Sequence, residues 1–149
     1  MTKVLHFTNM QMVKLANNLS NFEMVGKASR GRSKLQKAAM AKAQEFNDDR
    51  EEIRLPYFEK GDDGKPVIVN NNEFVFIDPS KKQELEDKLK DLDEEVNGIE
   101  FVEYSEKLEA FYKALEAYNK PLQGQMAEVY DDVLDELEQA FSKQEKEGK

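Results

Sequence analysis

Apolar residues recur at three- and four-residue intervals through most of this chain, and that spacing predicts helices. Met12, Leu15, Ala16, Leu19 and Phe22 form the first series. Thr8 or Asn9 is placed to cap it, and a short strand over Val4 to Phe7 precedes it. Gly26 closes this segment. Ser29 or Ser33 then caps a long second helix with a narrow stripe of Leu35, Ala39, Ala43, Phe46 and Ile53. Its alanines favour the helix and let a neighbour approach closely. Pro56, with no N–H and a ring that clashes with the preceding turn, stops it. Leu85, Leu89, Leu92 and Val96 mark a third helix, capped by Asp78 or Ser80 and closed by Asn97-Gly98. Leu108, Phe111, Tyr112, Leu115 and Tyr118 mark a fourth, capped by Ser105 and broken at Asn119-Lys120-Pro121. The last helix has the widest apolar face, traced by Met126, Val129, Tyr130, Val133, Leu134, Leu137 and Phe141.

The period changes in the middle of the chain. Gly61-Asp62-Asp63-Gly64 and Asn70-Asn71-Asn72 are turn signals around Val67-Ile68-Val69, and Phe74 to Ile77 reads as a strand. A β-hairpin follows, with Pro79 at its exit. Ile99, Phe101 and Val102 suggest a further strand pairing with that hairpin. The expected fold is α+β and predominantly helical, with about five helices and a small antiparallel hairpin or sheet. The expected organisation is a single domain over 1–149. It comprises a basic part (1–42), a hairpin region (57–78), an acidic helical part (79–141) and a frayed tail (142–149).

Charge changes this picture. The chain of 149 residues carries a net charge of -9, unevenly spread. Residues 1–42 hold eight of the 22 Lys and Arg residues against one acid, Glu23; the remainder holds the other 30 of the 31 acids. No acid lies between Lys27 and Gln44. On a helix Arg30, Lys34 and Lys37 adjoin on one face, with Arg32 nearby. Gly26 and Gly31, near a helix start, would favour an anion. These cations can hold nucleic-acid phosphate or an acidic partner, or pair with the acidic last helix. No aromatic residue interleaves with them, which argues against base stacking. On the last helix Asp131, Asp132, Asp135, Glu136 and Glu138 fill the non-apolar positions. Negative charge spaced along a rigid helix can enter a basic groove shaped for nucleic acid.

Several chemistries find no footing. Without cysteine there are no disulfides, thiolate metal sites or cysteine nucleophiles. The single histidine, His6, sits in an apolar stretch and reads as structural rather than as a ligand or pH switch. Carboxylate pairs at i,i+4 (Asp131 with Asp135, Glu128 with Asp132) lack a third ligand or nucleotide motif nearby. Gly61-Asp62-Asp63-Gly64 lacks the alternating acids and closing Glu of a calcium loop. The expectation is therefore no enzyme, no catalytic residue, no metal and no cofactor. Mean hydropathy of -0.80 and the lack of a long apolar run predict no membrane association, and the N-terminus does not read as a signal peptide. A cytoplasmic location follows. The seven-residue recurrence of Met126 with Val133 and of Tyr130 with Leu137 is compatible with a homodimer packed through the last helix.

Three stretches together carry a resemblance: Gly26-Lys27-Ala28-Ser29-Arg30-Gly31-Arg32, the turn Gly61-Asp62-Asp63-Gly64-Lys65, and Ala127-Glu128-Val129-Tyr130-Asp131-Asp132-Val133-Leu134. With them the chain, from about Leu5 to Phe141, resembles an uncharacterised family of small acidic proteins encoded by bacteriophages and prophages of Gram-positive bacteria. The resemblance implies a phage origin and residence in the bacterial host cell, and brings no activity or catalytic residue. The leading expectation is a non-enzymatic protein that binds a host or phage protein, in its sharpest form an inhibitor of a nucleic-acid-binding defence system (anti-CRISPR type). It would act through Asp131, Asp132, Asp135, Glu136 and Glu138. The alternatives are a virion or tail structural or assembly protein, and nucleic-acid binding through segment 27–42 by Arg30, Arg32, Lys34 and Lys37.

Overall fold

Nine regular elements account for most of the computed structural model, which describes residues 3–69 and 73–147, the last five by backbone alone. They are β1 (Val4–Thr8), α1 (Asn9–Asn18), α2 (Gly26–Arg54), β2 (Ile68–Val69), β3 (Glu73–Phe74), α3 (Lys82–Glu94), β4 (Val96–Glu100), α4 (Ser105–Glu116) and α5 (Gln125–Glu147). The fold is α+β and predominantly helical, with antiparallel two-stranded sheets. Two compact units are distinguished, one from 1–43 with 96–149 and one from 44–95.

In the first unit β1 pairs with β4 in antiparallel register, Leu5 opposite Ile99 and Phe7 opposite Asn97. The alternation of β1 puts Leu5 and Phe7 into the core and leaves His6 exposed, so the histidine expected among apolar residues faces out. Thr8 caps α1 with a reciprocal box: its hydroxyl accepts from Gln11 N–H at 3.1 Å, and the Gln11 carboxamide accepts from Thr8 N–H at 2.8 Å. Met12, Leu15, Leu19 and Phe22 are fully buried, as are Phe101, Leu108, Phe111, Leu115, Val133 and Leu137 from the second half of the chain. The Tyr112 ring stacks on Phe141 with centroids 5.4 Å apart. The apolar face of α5 packs on α1, α4 and β1 of its own chain. The face expected to be open to a second copy is thus internal.

Four local expectations are corrected. The long helix begins at Gly26, not at Ser29 or Ser33. Gly26 enters it at φ 59°, a conformation other residues adopt at a cost, and Val25 C=O accepts the first bond from Ser29 N–H. Asn97-Gly98 does not close α3, which ends at Glu94. These residues lie inside β4, where the Asn97 carboxamide donates to Asn9 Oδ1 at 2.7 Å. β4 pairs with β1 rather than with the hairpin. Ser105 makes no cap; its hydroxyl accepts from Lys3 Nζ at 3.3 Å. Helix α5 runs from Gln125 to Glu147.

In the second unit the hairpin is built around Phe58. Its ring meets Phe74 and Phe76 edge-on at 5.0 and 4.9 Å. Glu59 bridges two segments, its N–H donating to Val75 C=O and its C=O accepting from Val67 N–H. The Arg54 guanidinium lies 5.0 Å from the Phe74 centroid and is held by Glu51 at 2.8 Å. Gly64, at φ 77°, makes the predicted turn. β2 and β3 pair in register, Ile68 opposite Phe74. The predicted Asn70-Asn71-Asn72 turn lies outside the described residues.

Candidate partner-binding surface

Helix α5 forms because its apolar residues recur on one side and its charges fill the rest, and burial of that side fixes its rotation. That rotation sorts the carboxylates into two rows. Glu128, Asp132 and Glu136, spaced by four, face α1 and β1. Glu128 pairs with Lys14 Nζ at 3.0 Å. Asp132 lies beside Gln11 and in the field of Lys14, both of which favour its charged form. Glu136 accepts from the main-chain N–H of His6 at 2.7 Å. Asp131, Asp135 and Glu138, spaced by four and three, form the other row. All three are exposed, and among the described residues none pairs with a cation.

Of the five acidic residues predicted to meet a partner, the structure thus brings three together on an open row. It turns the other two, Asp132 and Glu136, into internal tethers. Glu128, Lys14 and Gln11 are the residues that complete this division. The i,i+4 spacing of Glu128, Asp132 and Glu136 signals a shared face, but the α1 residues opposite it come from more than 110 positions away (|i−j| is 114 for Lys14 and Glu128).

Burial pushes the Asp132 carboxyl above its ordinary value of 3.8, against the opposing pull of Gln11 and Lys14. An acid whose pKa is raised by folding binds more protons folded than unfolded. Its contribution is therefore favourable at low pH and lost as pH rises through the raised value. Asp132→Asn keeps an acceptor for Gln11 without the charge. It is expected to unfold at a higher urea concentration than the parent at neutral pH, with the gain vanishing once the pH falls below 3.8. A lower midpoint at neutral pH would contradict this sign.

The basic segment divides in a similar way. Arg30, Lys34 and Lys37 are exposed on one face of α2, and among the described residues none meets a carboxylate. Arg32, expected among them, turns inward: its guanidinium donates to the Phe22 carbonyl and to Ser29 Oγ, and its Nε is buried without a hydrogen-bond partner among the described residues. Lys27 borders a cavity of about 460 Å³ beside Glu106, Glu109 and Lys113 of α4. The pairing expected between basic segment and last helix is not the one that ties α5 down; that role falls to Lys14 of α1. Gly31 is likewise no anion cradle at a helix start. It lies inside α2, buried against the main chain of α4 at Lys107.

Chemically the α5 row offers three fixed negative charges on a rigid support. No three His, Asp or Glu side chains gather as a metal set among the described residues. The second unit holds a shallow cleft of about 570 Å³ bordered by Pro56, Tyr57, Ile77 and Lys88. Its Glu84 accepts from the Tyr57 hydroxyl at 2.8 Å and its Asp78 from Ser80, so it adds no second free acidic row. Among the described residues no helix is long and apolar enough to cross a membrane.

No curated protein and no solved structure matches the chain. A family model does match, over residues 5–146, which is nearly the whole length. The chain therefore belongs to the family described as protein of unknown function (DUF1617).

Proposed function

We propose that this chain is a non-enzymatic binding protein that presents Asp131, Asp135 and Glu138 to a cationic groove on another protein. The single observation that supports this reading is the division of the α5 carboxylates. Three are held by the chain's own groups, and three stand in an unpaired row. A groove that accepts a phosphate backbone has the complementary field, and such complementarity governs encounter and orientation. In this reading the protein is made by a phage, and the partner is a host protein that handles nucleic acid, a defence nuclease being the sharpest case.

The interaction is electrostatic and weakens with salt. The test is capture from a bacterial host lysate at low and high salt. We expect the parent to retain a nucleic-acid-handling protein at low salt and release it at high salt. The triple variant Asp131→Asn, Asp135→Asn, Glu138→Gln should retain at least tenfold less, with its own stability changed by no more than about 0.5 kcal/mol. Undiminished capture by the triple variant overturns the reading.

The exposed Arg30, Lys34 and Lys37 favour a second reading, contact with nucleic-acid phosphate. The variant Lys34→Glu separates the two within the same assay. It leaves capture through α5 intact and removes capture that depends on nucleic acid.

A further inference from the structure

The two borders of the β1–β4 ribbon are treated differently. In an antiparallel pair, residues alternate between those bonded across the ladder and those whose main-chain groups point away. Phe101 N–H donates to Lys3 C=O at 2.9 Å, which fixes the phase. Leu5 with Ile99 and Phe7 with Asn97 are then bonded pairs, and the intervening residues face outward. On β1 the outward amides of His6 and Thr8 are closed by side chains. His6 N–H is taken by Glu136 and Thr8 N–H by Gln11. On β4 the outward groups belong to Val96, Gly98 and Glu100. Among the described residues they meet no third strand and no side chain.

A row of unpaired N–H and C=O groups is a template for an added strand. We propose that the outer border of β4 docks an extended, lysine- or arginine-rich segment of a partner protein, which adds as a third strand beside Val96–Glu100. Main-chain bonds to Val96, Gly98 and Glu100 supply the attachment, as in strand addition generally. Charge selects the occupant. From Val96 to Glu103 the chain carries Glu100 and Glu103 and no cation, and both are exposed. A second copy of β4 would bring like charge to like, whereas a cationic strand is matched. Val96 and Val102, at 57% and 64% exposure, offer apolar contact at either end of the border.

The test uses a seven-residue peptide alternating lysine and valine, a glutamate–valine counterpart, and the first peptide N-methylated at every second residue. Binding is followed by fluorescence anisotropy and by amide hydrogen exchange on the full chain. The lysine peptide is expected to bind and to slow exchange at Val96, Gly98 and Glu100, and the glutamate peptide to bind at least tenfold more weakly. N-methylation, which keeps the charge but removes the donors, is expected to weaken binding at least tenfold. Glu100→Lys, at an exposed position, should weaken it similarly. The α5 triple variant should bind the peptide as the parent does, which separates this border from the α5 row. Equal binding of the N-methylated peptide, unchanged exchange at the three amides, or a self-associated dimer that Glu100→Lys leaves intact and the peptide cannot dissociate overturns the proposal.

Discussion

Replacing Gly31 by alanine is expected to destabilise the first unit by about 2 kcal/mol, although alanine is the better helix former. Two effects oppose one another. In a helix interior alanine is favoured over glycine by about 1 kcal/mol. Against this, a Cβ at Gly31 would fall on the Lys107 carbonyl oxygen, 2.7 Å from its carbon and 3.1 Å from Leu108 N. These are main-chain atoms of α4 and cannot rotate aside as a flexible side chain would. Relief requires α2 and α4 to separate, and overpacking of this kind costs about 1–3 kcal/mol, occasionally more. The steric effect wins. Urea unfolding of the parent and the variant measures the difference, and a midpoint for Gly31→Ala at or above the parent's would show that the two helices part more freely than their packing implies.

The larger loss is expected at Phe111. This side chain of α4 is fully buried within the apolar cluster that joins α1, α4, α5 and the β1–β4 ribbon. Truncating a buried phenylalanine removes its transfer free energy and leaves a cavity, together about 3–5 kcal/mol. Against a typical domain stability of about 5–15 kcal/mol, that leaves Phe111→Ala close to the unfolding threshold at room temperature. Glu138→Ala on the open face of α5 serves as the internal comparison, with an expected change within about 0.5 kcal/mol. The urea midpoints of both variants, read by circular dichroism, carry the test. Similar midpoints would mean that the α4 layer does not hold the first unit together.

What the sequence revealed, and what it withheld, follows from range. Thr8 and Gln11 lie three residues apart, so their capping box is local and readable. Pro56 and Gly64 act on their own backbone, and the ends they impose are where pattern places them. Asn97-Gly98 misleads because the same dipeptide that closes a helix also fits a strand. The choice is made by Asn9 and by Phe7 and His6, some ninety positions away. Gly31 misleads in a related way: a glycine in a basic stretch suggests an anion cradle, yet here its missing side chain admits another helix. The acidic site was legible as a set of five residues on one helix. Its division into tethers and an open row was not, because that depends on Lys14, Gln11 and the His6 amide arriving from the other end of the chain. Arg32 is the counterpart on α2, drawn inward by a carbonyl that composition cannot reveal.

The hydrogen bond from His6 N–H to Glu136 also limits valence. A folded molecule with both sides of such a ribbon open can polymerise without end, each copy serving as template for the next. Here one side is plugged by a carboxylate, so native copies joining through this ribbon can form a pair and nothing longer. Glu136→Ala would free the His6 N–H alone, since Gln11 still closes Thr8 and α5 still packs on β1.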